Sequence, residues 1–193
     1  NPQRAGRCGG LYRFCGSRVE ATVMTMTKDS KTKDRPISEL GYRPCVGVML
    51  VSSAGEVFVG RRIDNKEGDF WQMPQGGIDE GEDPRDAALR ELWEETGVTA
   101  EKVAIIGQTA EPLRYDLPDE LIGKLWGGKF RGQEQEWFLA RFDGSEEDID
   151  LEAHDPPEFC EYRWVPASTV TDLIVPFKKR VYRAVVAEFA DLI

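Results

Sequence analysis

The chain has 193 residues, of which 40% are hydrophobic and 31% are charged, a composition typical of one soluble globular domain rather than a disordered or fibrous protein. The longest apolar run, Cys45–Val51, is far shorter than the roughly 20 residues needed to cross a bilayer, so we expect no membrane segment. The net charge of −10 at pH 7 is not typical of a general nucleic-acid binder, so we expect no DNA partner.

The first 40 residues differ in composition from the rest of the chain. They carry eight Lys or Arg against four acids, few large apolar residues and no periodicity. We expect residues 1–40 to be a flexible extension and, because the chain starts with Asn1, a tag or a processed segment; organellar targeting is the alternative. Residues 41–193 hold 17 basic and 31 acidic residues and are expected to form the domain. Such an acidic body suits a protein that gathers carboxylates around a divalent metal.

The cysteines carry little functional information. Cys8, Cys15, Cys45 and Cys160 show neither a metal-ligand spacing nor a dense disulfide pattern. A reducing compartment is therefore expected, and the cytoplasm is the predicted location.

Periodicity predicts strands interleaved with two helices. In chain order the predicted strands are Cys45–Val51, Glu56–Arg62, Val103–Thr109, Glu136–Phe142 and Tyr162–Val165, and the predicted helices cover about 84–96 and 177–192. Ser52 to Gly55 separates the first two strands and is typical of a turn. This alternation favours an α/β sandwich built on a mixed β-sheet.

The ends of the first helix are marked by local signals. Asp83 is suited to be the N-cap, Pro84 is suited to the first helical position, and Asp86 complements the helix dipole. Gly97 is a typical helix terminator. The helix over 84–96 is therefore the best-defined element of the sequence.

This helix carries three glutamates on one face. Glu91, Glu94 and Glu95 are spaced i, i+3 and i+4, so their carboxylates repel one another unless a cation neutralises them. Three glutamates alone would be typical of a solvated acidic face. The opposite side, Ala88, Leu89, Leu92 and Trp93, is expected to pack on the sheet. Hard oxygen ligands on one face suit Mg²⁺, with Mn²⁺ or another divalent cation as a substitute.

A glycine-rich acidic loop at a fixed distance from these glutamates distinguishes a metal site from a solvated face. Gly76, five residues, Glu82, seven residues, Arg90-Glu91, Leu92, Trp93, Glu94-Glu95, Thr96, Gly97 and Val98 resemble the Nudix box. The resemblance implies the Nudix α/β/α sandwich and hydrolysis of phosphoric anhydride bonds in nucleotide substrates. It also implies that Glu91, Glu94 and Glu95 bind the metal with the Gly76 carbonyl. Glu82, Arg90 and Gly97 are then structural, and Glu82 pairs with Arg90.

Outside the box, the chain resembles one branch of the family over about residues 41–193. The shared segments are Tyr42-Arg43-Pro44, Trp71 to Gly77, Gly132-Gln133, Trp137-Phe138, Pro157-Glu158-Phe159 and Phe177-Lys178. This branch contains bacterial RNA pyrophosphohydrolases and plant and bacterial diadenosine tetraphosphate hydrolases. The resemblance implies that Glu158 joins the metal ligands or acts as general base, with Glu94 as the other candidate base. It also implies that Arg43, Arg62, Gln72, Phe177 and Lys178 bind substrate.

Three functional hypotheses follow from this resemblance. The leading one is removal of pyrophosphate from the 5′ end of triphosphorylated RNA. The second is asymmetric hydrolysis of dinucleoside polyphosphates such as diadenosine tetraphosphate. The third is a non-catalytic nucleotide sensor, which the intact set of glutamates disfavours. Glu134 and Glu136 stand where the branch often has lysine, so we expect them to weaken contacts to a long RNA. The only histidine, His154, is interpreted as a loop residue.

Overall fold

The computed structural model of the protein describes residues 36–64 and 68–193. The predicted extension over 1–40 therefore falls outside the described residues except for its last five. These include a short 3-10 helix, Ile37–Glu39, directly before the first strand. Within the described ranges, no helix combines the length and the apolar character that a membrane span requires.

A mixed seven-stranded sheet is the centre of the fold. Its strands are β1 (Gly41–Val51), β2 (Glu56–Arg62), β3 (Gln75–Gly77), β4 (Val103–Gln108), β5 (Leu113–Asp116), β6 (Phe130–Phe142) and β7 (Phe159–Pro166). The main order is β4-β6-β1-β2-β7, with β3 paired to β1 and β5 paired to β6. Among the strand pairs of residues 36–64 and 68–193, β1 and β6 run parallel and the other pairs are antiparallel. The helices are α1 (Pro84–Thr96), α2 (Val170–Leu173) and α3 (Lys179–Phe189).

Helices cover both faces of this sheet, and each face has its own apolar core. Ala88 and Leu92 of α1 pack with Phe138 of β6 on one face. Tyr182 of α3 packs with Trp137 of β6 on the other. Because successive strand residues point to opposite faces, neighbouring positions of β6 serve the two cores in turn. The expected α/β/α sandwich is confirmed.

The sheet opens between β1 and β2, and this opening positions the glycine-rich segment. β1 pairs with β2 only at Val51 and Val57. Nearer its start, β1 pairs with β3 instead, and Cys45 of β1 lies opposite Gly77 of β3. The segment leading into β3 is fixed by a hydrogen bond from the Met73 amide to the Tyr182 hydroxyl of α3, at 3.0 Å. The start of the glycine-rich loop is therefore held by the sheet and by α3.

Most predicted elements are present, but several are longer than expected and the shortest were missed. β1 and β6 begin at Gly41 and Phe130, ahead of the predicted starts. The helix predicted over 177–192 consists of α3 flanked by the 3-10 turns Pro176–Lys178 and Ala190–Leu192. β3, β5 and α2 contain three or four residues each, too few for a periodic signal.

The predicted ends of α1 are confirmed. The Asp83 side chain accepts a hydrogen bond from the Arg85 amide at 2.9 Å, and Pro84 opens the helix. Gly97 closes it with a φ of 72°, a left-handed conformation that glycine adopts without strain.

An ion pair joins the loop before α1 to the helix itself. Both Glu82 carboxylate oxygens accept hydrogen bonds from Arg90, each at 2.7 Å, and Arg90 also donates to the Gly77 carbonyl at 2.9 Å. The Asp79 amide donates to the same carboxylate at 2.9 Å. These contacts, those of Arg90 first, lower the pKa of Glu82 to about 2. The bidentate geometry makes this the strongest tie between the loop and α1.

This pKa gives a prediction about the pH dependence of stability. Because the folded-state pKa of Glu82 lies below its ordinary value of 4.5, the ion pair stabilises the fold fully above that pH and progressively less as the pH falls towards 2. The difference in unfolding free energy between the parent protein and Glu82→Gln should therefore be largest near pH 7 and shrink below about pH 4.5. Urea unfolding across this range measures it.

Glu80→Gln is the matched control, since Glu80 is an exposed glutamate of the same loop. This substitution should change the free energy of unfolding little across the whole pH range. If the loss of unfolding free energy in Glu82→Gln stayed constant with pH, it would contradict the assigned ion pair.

Candidate functional site

The three glutamates of α1 lie in one cavity of about 280 Å³. The structure brings Glu91, Glu94 and Glu95 together there with Arg62 and Glu158, although Arg62 ends β2 and Glu158 precedes β7. The full lining is Arg62, Ile63, Asp64, Glu91, Glu94, Glu95, His154, Pro156, Pro157 and Glu158. Residues far apart in sequence thus form one acidic cavity, and the positively charged Arg62 is part of its lining.

Glu95 is the most deeply buried of these acids, with 1% of its surface exposed. One carboxylate oxygen accepts a hydrogen bond from the Gln75 amide at 3.0 Å. The other has no hydrogen-bond partner among the described residues. Burial raises the pKa of Glu95 well above its ordinary value, and the nearby Glu158 and Glu91 carboxylates raise it further. The folded chain alone therefore disfavours the charged form of Glu95.

Glu91 lies directly against the glycine-rich strand β3. A Cβ atom on Gly76 would stand 1.9 Å from the Glu91 carboxyl group, so only glycine allows this approach. Burial raises the pKa of Glu91, and a hydrogen bond from Arg90 at 2.8 Å partly offsets that effect. The backbone of Gly76 and the Glu91 carboxylate are therefore neighbours, as the predicted metal site requires.

These features fit a divalent cation. Within the described ranges, no three Asp, Glu, His or Cys side chains converge on one point, since Arg90 and Arg62 hold the Glu91 and Glu158 carboxylates. The partnerless oxygen of buried Glu95 and the like charges around it are both features that a hard cation would stabilise. Gly76, Glu91, Glu94, Glu95 and Glu158 are the residues that would hold it.

Arg62 links the distal glutamate to the cavity. It donates to Glu158 at 2.6 Å and to both carboxylate oxygens of Asp64, at 2.8 and 3.0 Å. The Ile63 amide also donates to the Glu158 carbonyl at 2.9 Å. The Glu158 side chain remains 44% exposed, so water reaches the carboxylate that the sequence marked as a candidate base.

A second, more apolar cavity of about 130 Å³ adjoins the first and shares Arg62 and Asp64 with it. Its other lining residues are Phe70, Trp71, Gln72, Ile174 and Val175. Gln72 is 6% exposed, and its side-chain nitrogen has no hydrogen-bond partner among the described residues. A buried, partnerless donor beside aromatic walls is suited to recognise a polar edge of a flat ligand.

The other predicted substrate residues lie outside both cavities. Lys178 is buried with its ammonium 5.5 Å from the centre of the Tyr115 ring. Burial, and then the Arg62 charge, lower the pKa of Lys178 to about 8. Phe177 packs against the same tyrosine, with ring centres 5.6 Å apart. Arg43 lies against Gly77 and over the Trp126 ring, 5.6 Å from its centre.

One expectation about packing was wrong. Trp93 was expected to pack on the sheet with Ala88 and Leu92, which are indeed fully buried, but 39% of Trp93 is exposed. Its ring meets His154 edge-on, with centres 5.9 Å apart and planes at 72°. His154, interpreted as an ordinary loop residue, also lines the acidic cavity.

The structure places Glu134 and Glu136 on the sheet face opposite α3, and their expected effect on a long RNA stays a prediction. Gln135 and Trp137 of β6 point towards α3, where Trp137 meets Tyr182. By strand alternation, Glu134 and Glu136 point to the opposite face, the face covered by α1. Glu134 is also paired with Arg114. Neither carboxylate therefore faces Phe177 and Lys178.

Several residues of the site were missed by sequence reasoning. Gln75 holds Glu95 through its backbone amide, which no side-chain pattern marks. Asp64 orients Arg62, and Phe70 forms a wall of the second cavity. The spacing of Asp64 two residues after Arg62 was the only available signal, and it is too common to indicate a site.

The sequence matches a known family along most of its length. The sequence model of the NUDIX domain matches residues 41–185. An RNA pyrophosphohydrolase of Novosphingobium aromaticivorans is 68% identical over 154 residues, which are 80% of this chain and 96% of that protein. An RNA pyrophosphohydrolase of Erythrobacter litoralis is 59% identical over 155 residues, 80% of this chain and 94% of that protein.

Solved structures agree on the fold. A dihydroneopterin triphosphate pyrophosphohydrolase of E. coli is similar with a TM-score of 0.60 and 21% identity, covering 77% of this chain and 99% of that one. A C. elegans Ap4A hydrolase in a binary complex gives a TM-score of 0.56 and 21% identity, covering 77% of this chain and 98% of that one. Domain match, fold and glutamate geometry agree, and the chain belongs to the Nudix family.

Proposed function

We propose that this chain is an RNA pyrophosphohydrolase, a hydrolase that uses Mg²⁺ or Mn²⁺ to remove pyrophosphate from the 5′ end of triphosphorylated RNA. The observation that carries the proposal is the high identity to proteins of that name over nearly their whole length. The acidic cavity supports it, because that cavity joins a complete set of glutamates to a phosphate-binding cation, Arg62.

Arg62 and Lys178 are the proposed phosphate-binding cations. Arg62 stands between the two cavities, and its planar guanidinium is suited to phosphate oxygens. Lys178 is buried and forms no ion pair with any described residue. A polyphosphate beside Lys178 would compensate the burial that lowers its pKa, so substrate binding and the charged form of this lysine stabilise each other.

The reaction transfers the phosphoryl group of an anhydride bond to water. A divalent cation held by Gly76, Glu91, Glu94, Glu95 and Glu158 would supply neutralisation of the phosphate oxygens and a lower pKa of the attacking water. A carboxylate within reach of that water accepts its proton, and the bond to the pyrophosphate leaving group breaks. Glu94 and Glu158 both line the cavity and are 28% and 44% exposed. We assign the base to this pair.

The second cavity is the proposed site of a nucleobase. Phe70, Trp71, Ile174 and Val175 are among its lining residues, and the partnerless nitrogen of Gln72 supplies a donor. Its border with the acidic cavity is formed by Arg62, so a base and its 5′ phosphates would occupy adjacent spaces. Burial of a base among apolar groups with one polar contact is the usual arrangement of nucleotide sites.

The start of α3 extends a positive surface away from Lys178. Lys179, Arg180 and Arg183 follow it, and none of the three pairs with an acid among residues 36–64 and 68–193. Arg180 and Arg183 are exposed and stand one turn apart. Unpaired cations beside the proposed phosphate site favour a substrate that continues as a polyanion.

The metal site gives a prediction about stability. At pH 7.5 without metal, Glu95→Gln should raise the melting temperature by about 3 °C, because the variant removes a carboxylate whose charged form the fold disfavours. Adding Mg²⁺ or Mn²⁺ should stabilise the parent protein clearly more than this variant, since binding to the native state adds stability. Differential scanning calorimetry with and without EDTA measures both effects.

Glu136→Gln is the matched control, because Glu136 lies on β6 away from the cavity lining. This variant should keep the full rise in melting temperature that metal causes in the parent protein. The assignment of Glu95 as a ligand would be wrong if Glu95→Gln also kept that shift.

The substrate is tested by product analysis. With Mg²⁺ or Mn²⁺, the protein should release pyrophosphate from 5′-triphosphorylated RNA oligonucleotides and leave 5′-monophosphate ends. Glu158→Gln should lower kcat by about 10² or more and change KM only a few-fold if Glu158 is the base. Diadenosine tetraphosphate is assayed beside the RNA at equal concentration.

The outcomes separate the candidate functions. Efficient cleavage of the dinucleotide with negligible pyrophosphate release from RNA would replace the proposal with dinucleoside polyphosphate hydrolysis. Tight nucleotide binding with cleavage of neither substrate would indicate a sensor. An effect of Glu158→Gln on KM alone would move Glu158 to the substrate-binding residues and leave Glu94 as the base.

A further inference from the structure

Two aromatic residues, His154 in the lining of the acidic cavity and Trp93 in contact with it, have no place in the chemistry described above. Trp93 lies in α1 between Glu91 and Glu94, and its large apolar side chain is 39% exposed. His154, the only histidine of the chain, lies 61 positions later in the loop before β7. Their rings meet edge-on, with centres 5.9 Å apart.

The loop that carries His154 crosses the glutamate face of α1, and both of its ends are fixed. At its start, the Asp150 amide donates to the Thr96 carbonyl at 2.9 Å, and the Asp150 backbone occupies the space that a Cβ on Gly97 would need. At its end, Glu158 is held by the Ile63 amide and by Arg62. The loop over 150–158 thus bridges the end of α1 and the end of β2.

Between these ends, His154 provides a contact back to α1. Inside the loop, the Glu152 and Ala153 amides bond to Asp150, and Leu151 packs against the core on the α1 side of the sheet. These contacts all act at the start of the loop, before His154. The ring of His154 rests on Trp93 and at the same time lines the cavity.

The charges of the cavity oppose this arrangement. Glu158 is close enough to Glu91 and Glu95 for their like charges to interact. This interaction favours separation of the loop from the helix, and the pairing of Glu158 with Arg62 at 2.6 Å offsets part of it. The ring contact between Trp93 and His154 acts against such a separation.

We propose that the contact between Trp93 and His154 holds the loop over 150–158 against α1 and so positions Glu158 beside Glu94 and Glu95. Trp93 and His154 are positioning residues in this account, and the reacting groups are the glutamates. The inference rests on the proposed function in one respect, namely that Glu158 takes part in hydrolysis.

A double-mutant cycle tests the inference. Trp93→Ala and His154→Ala should each lower kcat about tenfold and leave KM within about twofold, and Trp93→Phe, which keeps a ring, should stay within about threefold of the parent protein. In the Glu158→Gln background, Trp93→Ala should cost less than about twofold, because there is no longer a carboxylate to position. The rates are measured on whichever substrate of the panel the parent protein cleaves.

Ile106→Ala is the matched control, since Ile106 is an apolar residue of β4 with 36% exposure and lines neither cavity. It should leave kcat and KM unchanged. If Trp93→Ala does not fold, His154→Ala carries the same cycle, because its truncation removes a loop side chain and no part of a helix.

Hydrogen exchange of the peptide covering 150–158 provides a measurement that does not depend on activity. Its amides should exchange several-fold faster in Trp93→Ala and His154→Ala than in the parent protein or in Ile106→Ala. Unchanged exchange would overturn the inference, and so would an effect of Trp93→Ala that multiplies with that of Glu158→Gln, an effect on KM alone, or a Glu158→Gln variant with full kcat. Absence of cleavage of RNA by the parent protein would instead contradict the proposed function, while the exchange result would still decide the contact.

Discussion

The structure depends on one constraint, the gathering of carboxylates around one cavity whose deepest acid, Glu95, is shielded from water. Glu95 is buried with a partnerless oxygen, and Glu91 and Glu158 are near enough to raise its pKa. Such a group costs the fold stability unless a cation compensates it. Affinity for a divalent cation is therefore the direct physical consequence of an arrangement that is unfavourable for the chain alone.

The scaffold around the carboxylates is built to maintain this unfavourable arrangement. The opening between β1 and β2 admits β3, so that Gly76 lies under Glu91 and the Gln75 amide reaches Glu95. The ion pair of Glu82 with Arg90 then fixes the loop before α1 to the helix. Each of these contacts holds in place a carboxylate or the backbone beside it. The negative charge that would bind a cation is kept.

Local signals made α1 predictable, and short elements were not predictable. Asp83, Pro84 and Gly97 act within one turn of their own positions, so the helix ends were correct to the residue. β3 is defined by its pairing with β1 rather than by its own three residues. The glutamate face followed from spacing, whereas the distal Glu158 was found only through resemblance, because nothing near it in sequence indicates that the fold returns it to α1.

The one wrong expectation, that Trp93 packs on the sheet, has a related origin. Trp93 was expected in the core because its position on the helix suggested it, but its partner, His154, is a residue of a distant loop. The sheet face that Glu134 and Glu136 occupy was also not predictable, because it is set by the tertiary packing of Trp137 against α3. Helix period and turn chemistry are properties of the local sequence; contacts between loops and faces are not.

The central claim is that the carboxylates of α1 and the glycine-rich strand together bind a divalent cation. Anomalous diffraction from a crystal of the protein with Mn²⁺ tests it most directly. We expect a manganese peak at a coordination distance of about 2.1 Å from carboxylate oxygens of Glu91 and Glu95 and from the Gly76 carbonyl. Manganese bound only at other acidic residues, with the Glu95 oxygen still without a partner, would contradict it.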